Sequence, residues 1–551
     1  MLLFPWGGLG WHPDIPLADT NNGIRECVTR MEYYVYYMHY RLTHPSTVFL
    51  GKKLFHQYLV DGWAITEQNK LRWIEDNQTT LRADSYKGLM DALATDGGED
   101  ALSNLGKRVI LPSGHINSTR FMYQLFQDSM AICRYYSHPD LFITFTANPQ
   151  WKEVKDALLP GQEYTDRPDL MARVFQLKKE AFLRDLTVEG VVGKVVAHVH
   201  TIEFQKRGLP HMHLLVFLDP QDRIKRAEDI DCLIRADIPD PVTETALYNI
   251  VTMVMLHGPC DSRCQGPTGK CTKGFPKPFR ETTSIVENGY PQLRRPNNNR
   301  THEKNNHVYD NTAVVPYSPY FSLKYNAHIN CEACFSIKAV KYIHKYIYKG
   351  HDRTTMVLGQ GNEVQQYLDS RYIAAPESVW RILGFNVHNE EPTVYRLPIH
   401  LEYEQTVTFN EEGVNLDRTL YRAGNTQLTR YFEANGDPVL GETARNLLYH
   451  EFPEKFVWVD KDRRWKIRER GYAIGRMYAA PPNSGERFYL RLLLTKVKGA
   501  TSFEHLRTVS GEVYATHKLA CLRLGLLEDD SEWHQCLKEG AELETGVCSF
   551  K

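Results

Sequence analysis

The sequence predicts an α+β fold organised around an antiparallel sheet. Apolar and aromatic residues recur at helical spacing between Ile24 and about Asp100. Leu141 to Thr146 is a short apolar run that ends in an Asn-Pro turn, which is typical of a buried strand. Two further strands, Val195 to Phe204 and His211 to Leu218, are separated by a short segment that contains Gly208. Strands joined by so short a loop form an antiparallel hairpin.

Composition places this chain among proteins that fold around a core and excludes a wholly disordered or fibrous protein. Hydrophobic residues make up 42% of the 551 residues and charged residues 24%. The net charge is −1, so nucleic acid could be bound only by local basic patches. The apolar runs are too short to span a membrane, and we expect neither a membrane partner nor a signal peptide. The odd number of cysteines, 11, favours reduced thiols over a disulfide scaffold.

Three regions follow from these patterns. Residues 1–105 are predicted to be mainly helical, residues 106–390 to hold the sheet, and residues 391–551 to form a mixed α/β accessory region. Within the second region, residues 258–320 are rich in Pro, Gly, Asn and Cys, which predicts a long irregular insertion. Further helices are predicted at Arg173 to Leu186, Phe335 to Lys349 and Ser502 to Leu527.

The predicted hairpin carries a candidate metal site. His211 and His213 lie two residues apart and therefore on one face of their strand. A five-residue loop centred on Gly208 would pair Glu203 with His213 and Gln205 with His211. Two imidazoles and a carboxylate would then converge as ligands of a divalent cation, with open positions for a substrate. The alternative is a set of polar residues on a solvent-facing sheet.

A second histidine pair, His198 and His200, occupies the preceding strand. Successive residues of a strand point to opposite faces, so these even-numbered residues lie on the face opposite to Glu203, where we expect no carboxylate partner. We therefore do not expect this pair to bind the metal.

Tyrosines on the helix predicted from Phe335 are candidate nucleophiles. Tyr342 and Tyr346 are four residues apart and share a helical face. A phenol has a pKa of about 10 and needs a nearby positive charge or metal to attack, which Lys345 could supply. The alternative is a solvated basic helix whose tyrosines pack on a core. The candidate DNA-binding residues are Arg207, Lys341, Lys349 and Arg353, together with the basic segment Lys270 to Arg280.

In combination, these motifs resemble the Rep region of Helitron transposases. The most specific stretch runs from Glu203 to His213, and the resemblance covers nearly the whole chain. The other stretches that resemble the family are Leu141 to Trp151, His257 to Cys260, Lys341 to Gly350, Ser370 to Glu377 and Gly485 to Arg491.

The resemblance implies a rolling-circle Rep-like nuclease core of the HUH type within residues 106–390, and site-specific nicking and joining of single-stranded DNA at transposon ends. It implies Mg²⁺ or Mn²⁺ as the cofactor on Glu203, His211 and His213. One of Tyr342 and Tyr346 would form a 5′-phosphotyrosine and the other would serve the joining step, in an order that remains open. It also implies a nuclear location.

One feature departs from the family pattern. Full-length Helitron proteins continue into a helicase domain, to which residues 391–551 would lead, but no Gly-x-x-x-x-Gly-Lys-Ser/Thr motif occurs here. The nearest segment, Gly266 to Cys271, has the wrong spacing, so we predict no nucleotide site. The alternative to an active nuclease is a catalytically inactive DNA-binding remnant or a partial gene model.

Five cysteines are candidate ligands of a structural Zn²⁺. A Cys-x2-Cys pair with two further thiolates would complete a tetrahedral site. The alternative is that these thiols are unligated. The five are Cys260, Cys264, Cys271, Cys331 and Cys334.

Overall fold

The computed structural model describes two compact units of this chain, one within Met1–Asn77 and Ser113–Glu391 and the other within Pro392–Lys551. The residues described are 3–4, 7, 10–18, 25–41, 47–76, 115–116, 118–205, 208–260, 264–265, 269–286, 291–335, 367, 371–402, 404 and 424–527.

A five-stranded antiparallel sheet forms the centre of the first unit. Its strands are β1 (Leu141–Thr146), β2 (Val195–Phe204), β3 (Pro210–Leu218), β8 (His328–Ala333) and β9 (His388–Glu391). Their order across the sheet is β8-β1-β3-β2-β9, with antiparallel pairing throughout. The predicted α+β class is confirmed, as are strand β1 and the β2–β3 hairpin.

Helices surround this sheet and also precede it in the chain. They are α1 (Arg30–Tyr37), α2 (Lys53–Asp76), α3 (Thr119–Tyr136), α4 (Lys152–Ala157), α5 (Pro168–Thr187), α6 (Ala227–Leu233), α7 (Thr245–Val254), α8 (Pro319–Tyr325) and α9 (Ala375–Ile382). Helix α5 contains the whole of the predicted Arg173 to Leu186 helix. The helix predicted from Phe335 to Lys349 lies outside the described residues, apart from Phe335.

One face of the sheet is apolar and packs against α5 and α9. Phe145 of β1 is fully buried, and its ring centroid lies 5.2 Å from those of both Phe175 and Phe182 of α5. Trp380 of α9 approaches Phe175 at 6.1 Å. Each such side chain contributes about 2 kcal/mol by leaving water. The helices therefore cover this face of the sheet.

A buried ion-pair network ties α2 to the start of α9. The guanidinium of Arg371 donates to both carboxylate oxygens of Glu377, at 2.8 and 3.1 Å, and to Glu67 of α2 at 3.3 Å. The Arg371 side chain is only 2% exposed.

The register of the β2–β3 hairpin differs from the predicted one. Glu203 pairs with His211, and Thr201 pairs with His213. The N–H of Gln205 donates to the carbonyl of Leu209 at 3.0 Å, so the loop between the paired residues has three residues and not five. Gly208 takes φ +80° at the last loop position, where three-residue hairpin loops need a left-handed residue. The glycine thus ends the loop and does not centre it, which shifts the pairing by two residues.

The insertion predicted over residues 258–320 is largely irregular where it is described. Two short hairpins occur in it, β4 (Ser284–Ile285) with β5 (Pro291–Gln292) and β6 (His302–Lys304) with β7 (His307–Tyr309). Helix α8 begins before the predicted end of the insertion.

The second unit has its own core and several two-stranded sheets. The strands are β10 (Thr393–Leu397) parallel to β13 (Ala473–Met477), β11 (Phe456–Val459) with β12 (Arg464–Ile467), and β14 (Thr508–Val509) with β15 (Glu512–Val513). The helices are α10 (Gln427–Gly436), α11 (Gly441–Ala444), α12 (Phe452–Lys455), α13 (Glu486–Leu494), α14 (Phe503–Leu506) and α15 (His517–Arg523).

The continuous helix predicted from Ser502 to Leu527 is wrong. The β14–β15 hairpin interrupts it, because Ser510 and Gly511 both take positive φ values, 55° and 85°. Such a pair favours a tight hairpin turn, which ends the helix locally. Within the described parts of the chain, no helix is long and apolar enough to cross a membrane.

Candidate metal centres

The polar face of the main sheet collects polar side chains from all five strands. Residues paired across antiparallel strands point to the same face, so each row of the sheet brings its side chains together. One row runs His328, Thr146, His211 and Glu203 across β8, β1, β3 and β2. The next row runs Asn330, Thr144, His213, Thr201 and His388.

The structure places all three predicted ligands on this face. Glu203 Oε2 lies 3.2 Å from His213 Nε2, although Glu203 pairs with His211 in the ladder and is a diagonal neighbour of His213. The ring of His213 stacks on Phe142 with a centroid distance of 5.9 Å. His211 Nδ1 lies 2.7 Å from Thr146 Oγ1, an interaction that leaves Nε2 of this imidazole for another partner. The His211 and His213 ring centroids are 4.5 Å apart.

Burial keeps His211 and His328 neutral. Burial lowers the pKa of His211 well below its usual value, and the nearby charges of His213, His328 and Lys273 act in the same direction. Burial likewise lowers the pKa of His328 to about 4. A neutral imidazole is the form that binds metal.

Glu203 has an oxygen available for a ligand. Its Oε1 is buried and has no hydrogen-bond partner in the portion of the chain that the structure describes. A buried carboxylate oxygen without a partner is unfavourable unless a cation satisfies it.

His328 is a candidate functional residue that the sequence analysis missed. Its strand alternates partly buried polar residues at 328, 330 and 332 with buried residues at 329, 331 and 333. This period of two was visible in the sequence, but only the pairing of β8 with β1 places His328 in the row of His211.

His198 and His200 lie on the opposite face, as their parity predicted. Both are buried, their rings are parallel with centroids 5.7 Å apart, and none of their nitrogens has a hydrogen-bond partner among the described residues. Glu391 of β9 pairs with His198 across the strands, so this face carries a carboxylate, but no hydrogen bond joins it to either imidazole. The edge strand that supplies Glu391 lies nearly two hundred residues further along the chain.

The remaining predicted catalytic and DNA-binding residues lie outside the described residues. These are Tyr342, Tyr346, Lys345, Lys341, Lys349, Arg353 and Arg207.

A large cleft of about 1750 Å³ reaches the polar end of β2. Glu203 and Thr201 line it from the sheet, and Lys53 and Trp63 line it from α2. The cleft therefore combines the predicted carboxylate ligand with a cation and an aromatic ring.

The second candidate centre lies in the insertion. The ligand atoms of His257, Cys260, Cys264 and Cys271 all lie within 4.8 Å of one another, and no other set of three or more His, Cys, Asp or Glu within the described ranges is gathered so closely. His257 Nε2 lies 3.3, 3.4 and 3.3 Å from the three sulfurs in turn, and the sulfurs of Cys264 and Cys271 are 3.4 Å apart. All three cysteines are free thiols. The group is compatible with a structural Zn²⁺.

Backbone N–H groups support one of these ligands. Burial acts to raise the pKa of Cys271, but the N–H groups of Phe275 and Lys273, together with the side chains of Cys264 and His257, outweigh it, and the pKa falls to about 6. Such donors favour the thiolate, which is the form that binds metal.

Two cysteines of the predicted zinc set do not belong to this group. Cys331 lies in β8 opposite Ile143 on the apolar face, and Cys334 follows that strand. Both are buried, and burial raises the pKa of Cys331 to about 12. The imidazole of His257 takes the fourth position. A histidine three residues before Cys260 was a local signal that could have found it.

Comparison with known families locates part of this architecture. Residues 33–216 match the Helitron helicase-like domain at N-terminus, a range that includes β1, β2 and most of β3 with Glu203, His211 and His213. This part of the chain is Helitron-related. The resemblance to Helitron proteins predicted from the motifs is thereby confirmed for residues 33–216. A Helitron helicase-like domain suggests a transposition-related enzyme and implies interaction with DNA. No curated protein matches the chain.

Proposed function

We propose that this Helitron-related chain nicks and joins single-stranded DNA at transposon ends with a divalent cation. The observation that carries the proposal is the polar sheet face, where Glu203 contacts His213 and Thr146 holds His211. This face lies within the Helitron helicase-like domain apart from His328 and the other residues of β8 and β9. The core would be of the HUH type, with its His-Met-His segment on the central strand.

The donor set suits Mg²⁺ or Mn²⁺. Atoms about 2.1 Å from an octahedral ion lie roughly 3 Å apart in adjacent positions. The 3.2 Å between Glu203 Oε2 and His213 Nε2 is compatible with such a pair. Two imidazoles and one carboxylate leave open positions, and an ion bound there would polarise the scissile phosphate.

Thr146 has a defined role in this arrangement. A ligating histidine donates its other ring N–H to a neighbouring acceptor, which fixes the tautomer and the ring orientation. Nδ1–H of His211 donating to Thr146 Oγ1 leaves the Nε2 lone pair for the ion. Thr146 is therefore a positioning residue.

The nucleophile is proposed from the sequence. The phenolate oxygen of Tyr342 or Tyr346 would attack phosphorus in line, forming a bond to the 5′ phosphate. The bond from phosphorus to the 3′ oxygen would break, and that oxygen would leave as a hydroxyl after taking a proton. Lys345 would offset the negative charge. The second tyrosine would accept the other strand in the joining step.

The cleft beside β2 suits unpaired nucleotides. Ammonium groups such as that of the exposed Lys53 contact the phosphates of single strands. Single-stranded DNA extended through this cleft would pass Glu203.

A cleavage assay on end-labelled single strands with and without Mn²⁺ tests the proposal. We expect divalent-dependent nicking and a covalent adduct on the 5′ side of the break, seen as a 3′-labelled product that migrates with protein on a denaturing gel. His213→Ala should abolish nicking, whereas the exposed His307→Ala serves as the matched control and should retain it.

The covalent step is tested by the Tyr342→Phe, Tyr346→Phe double variant, which should form no adduct. Persistence of the adduct would place the chemistry on another residue. DNA binding without cleavage by the wild-type chain would indicate the inactive remnant instead.

A further inference from the structure

The segment that carries the cysteine group is anchored beside the edge strand of the main sheet. The N–H of His257 donates to the carbonyl of Ala313 at 2.9 Å, next to a bridge between Leu256 and Val314. Three residues after Ala313, the carbonyl of Pro316 accepts from the N–H of Cys331 in β8 at 3.1 Å. The group is therefore fixed to the strand that also carries His328.

The four ligand atoms have the chemistry and spacing of a zinc site. Zinc bonds of about 2.0–2.3 Å place tetrahedral nitrogen and sulfur ligands roughly 3.5–3.8 Å apart. The measured separations of 3.3–3.4 Å are close to these values. Three thiolates so close together repel one another unless a cation lies between them, and soft thiolates favour Zn²⁺ over Mg²⁺.

An exposed lysine lies in the turn after Cys271. Gly274 takes φ +67°, and its N–H donates to the carbonyl of Cys271 at 2.9 Å, which closes a tight turn around Lys273. The side chain of Lys273 is exposed, and it lies two residues after Cys271, whose sulfur contacts the His257 imidazole of the segment anchored to β8. Lys277 differs, because its ammonium lies over the Phe275 ring and donates to the carbonyl of Lys273 at 3.1 Å.

We propose that His257, Cys260, Cys264 and Cys271 bind a structural Zn²⁺ and that this knuckle, anchored to β8, presents the exposed Lys273 to a phosphate of single-stranded DNA. The DNA contact rests on the proposed function, whereas zinc binding stands independently of it. The zinc orders the turn, and the turn fixes a cation on the segment that is anchored to β8, the strand of His328.

Zinc content tests the first half. The full chain, purified without added metal and without chelator, should contain one zinc ion by atomic absorption. Cys264→Ser should lose it, while Cys232→Ser, a change at an exposed free cysteine outside the group, should keep it.

Should Cys264→Ser fail to fold, wild-type protein titrated with an organomercurial should release its zinc as its thiols react, which a metal indicator dye detects. A wild-type chain without zinc, or a Cys264–Cys271 disulfide found on thiol mapping, overturns the proposal.

Salt dependence of single-strand binding tests the second half. Removal of one phosphate contact should reduce the slope of log affinity against log salt by about 0.7, or roughly fivefold in affinity at about 0.1 M salt. We expect this for Lys273→Ala with its zinc retained, and little change for the matched Lys277→Ala. Equal slopes in Lys273→Ala and wild type overturn the contact.

The two proposals fail in different ways. A chain that binds zinc and shows the Lys273 effect but never nicks DNA contradicts the nuclease function alone. A chain that nicks DNA without zinc contradicts the knuckle alone.

Discussion

Replacing Thr146 by valine tests whether the polar face of the sheet is a metal centre. Valine keeps the shape of the side chain, which is only 8% exposed, and removes the hydroxyl that lies 2.7 Å from His211 Nδ1. The imidazole then loses the contact that fixes its tautomer and its ring orientation. Both are needed for Nε2 to reach a cation.

The expected loss follows from this single contact. Loss of the hydrogen-bond partner of a metal-bound histidine reduces metal affinity or activity by about 10–100-fold. This range corresponds to about 1.4–2.7 kcal/mol in binding free energy. Without metal, the variant loses one hydrogen bond, and we expect the free energy of unfolding to fall by about 1 kcal/mol.

Mn²⁺ titration followed by electron paramagnetic resonance measures the affinity directly, and urea unfolding measures the stability. Thr144→Val is the matched control. Thr144 lies two residues away on the same strand and face, is 7% exposed, and pairs with His213, but its hydroxyl makes no hydrogen bond to the described part of the chain. Unchanged Mn²⁺ affinity in Thr146→Val, or an equal loss in Thr144→Val, would refute the assignment.

Three further predictions concern stability. Burial lowers the pKa of His198 to about 4, so the unfolded chain takes up its proton below about pH 6.5 while the folded chain does not, and stability falls as the pH drops from 6.5 towards 4. His198→Leu should reduce the loss between pH 7 and 5.5 by about 1 kcal/mol in urea unfolding, and an identical pH dependence in both proteins would contradict this. Arg371→Ala leaves the buried carboxylates of Glu67 and Glu377 uncompensated and should lower the free energy of unfolding by about 3–5 kcal/mol. Arg25→Ala, which breaks an exposed pair with Glu32, should lower it by at most about 1 kcal/mol. Similar losses in the two variants would argue against the network. Gly208→Ala should lower the thermal midpoint of unfolding more than Gly161→Ala does. Both glycines have φ near +80°, but only at Gly208 would an added Cβ meet another residue, Pro376, at 2.9 Å. Equal shifts of the midpoint would exclude that clash.

Local patterns were sufficient to predict the elements that build the candidate site. The apolar run of β1 and the hairpin of β2 and β3 follow from period-two alternation and a glycine-containing loop. Parity alone placed Glu203, His211 and His213 on one face and His198 on the other, because successive strand residues point to opposite sides whatever the partner.

Only the tertiary structure decided which residues meet across strands and loops. The register depended on the position of Gly208 within the loop, since a positive φ at its last residue shortens the loop to three. His328 and Glu391 entered their rows through pairing with distant strands, which no local pattern encodes. Cys331 shares its residue type with the zinc group, but strand pairing buries it on the apolar face, whereas His257 reaches the three thiols because its chain folds back on itself within fifteen residues. Residue type and periodicity are properties of the chain itself, whereas metal coordination requires ligand atoms to meet in space, and the packing of distant segments determines where they meet.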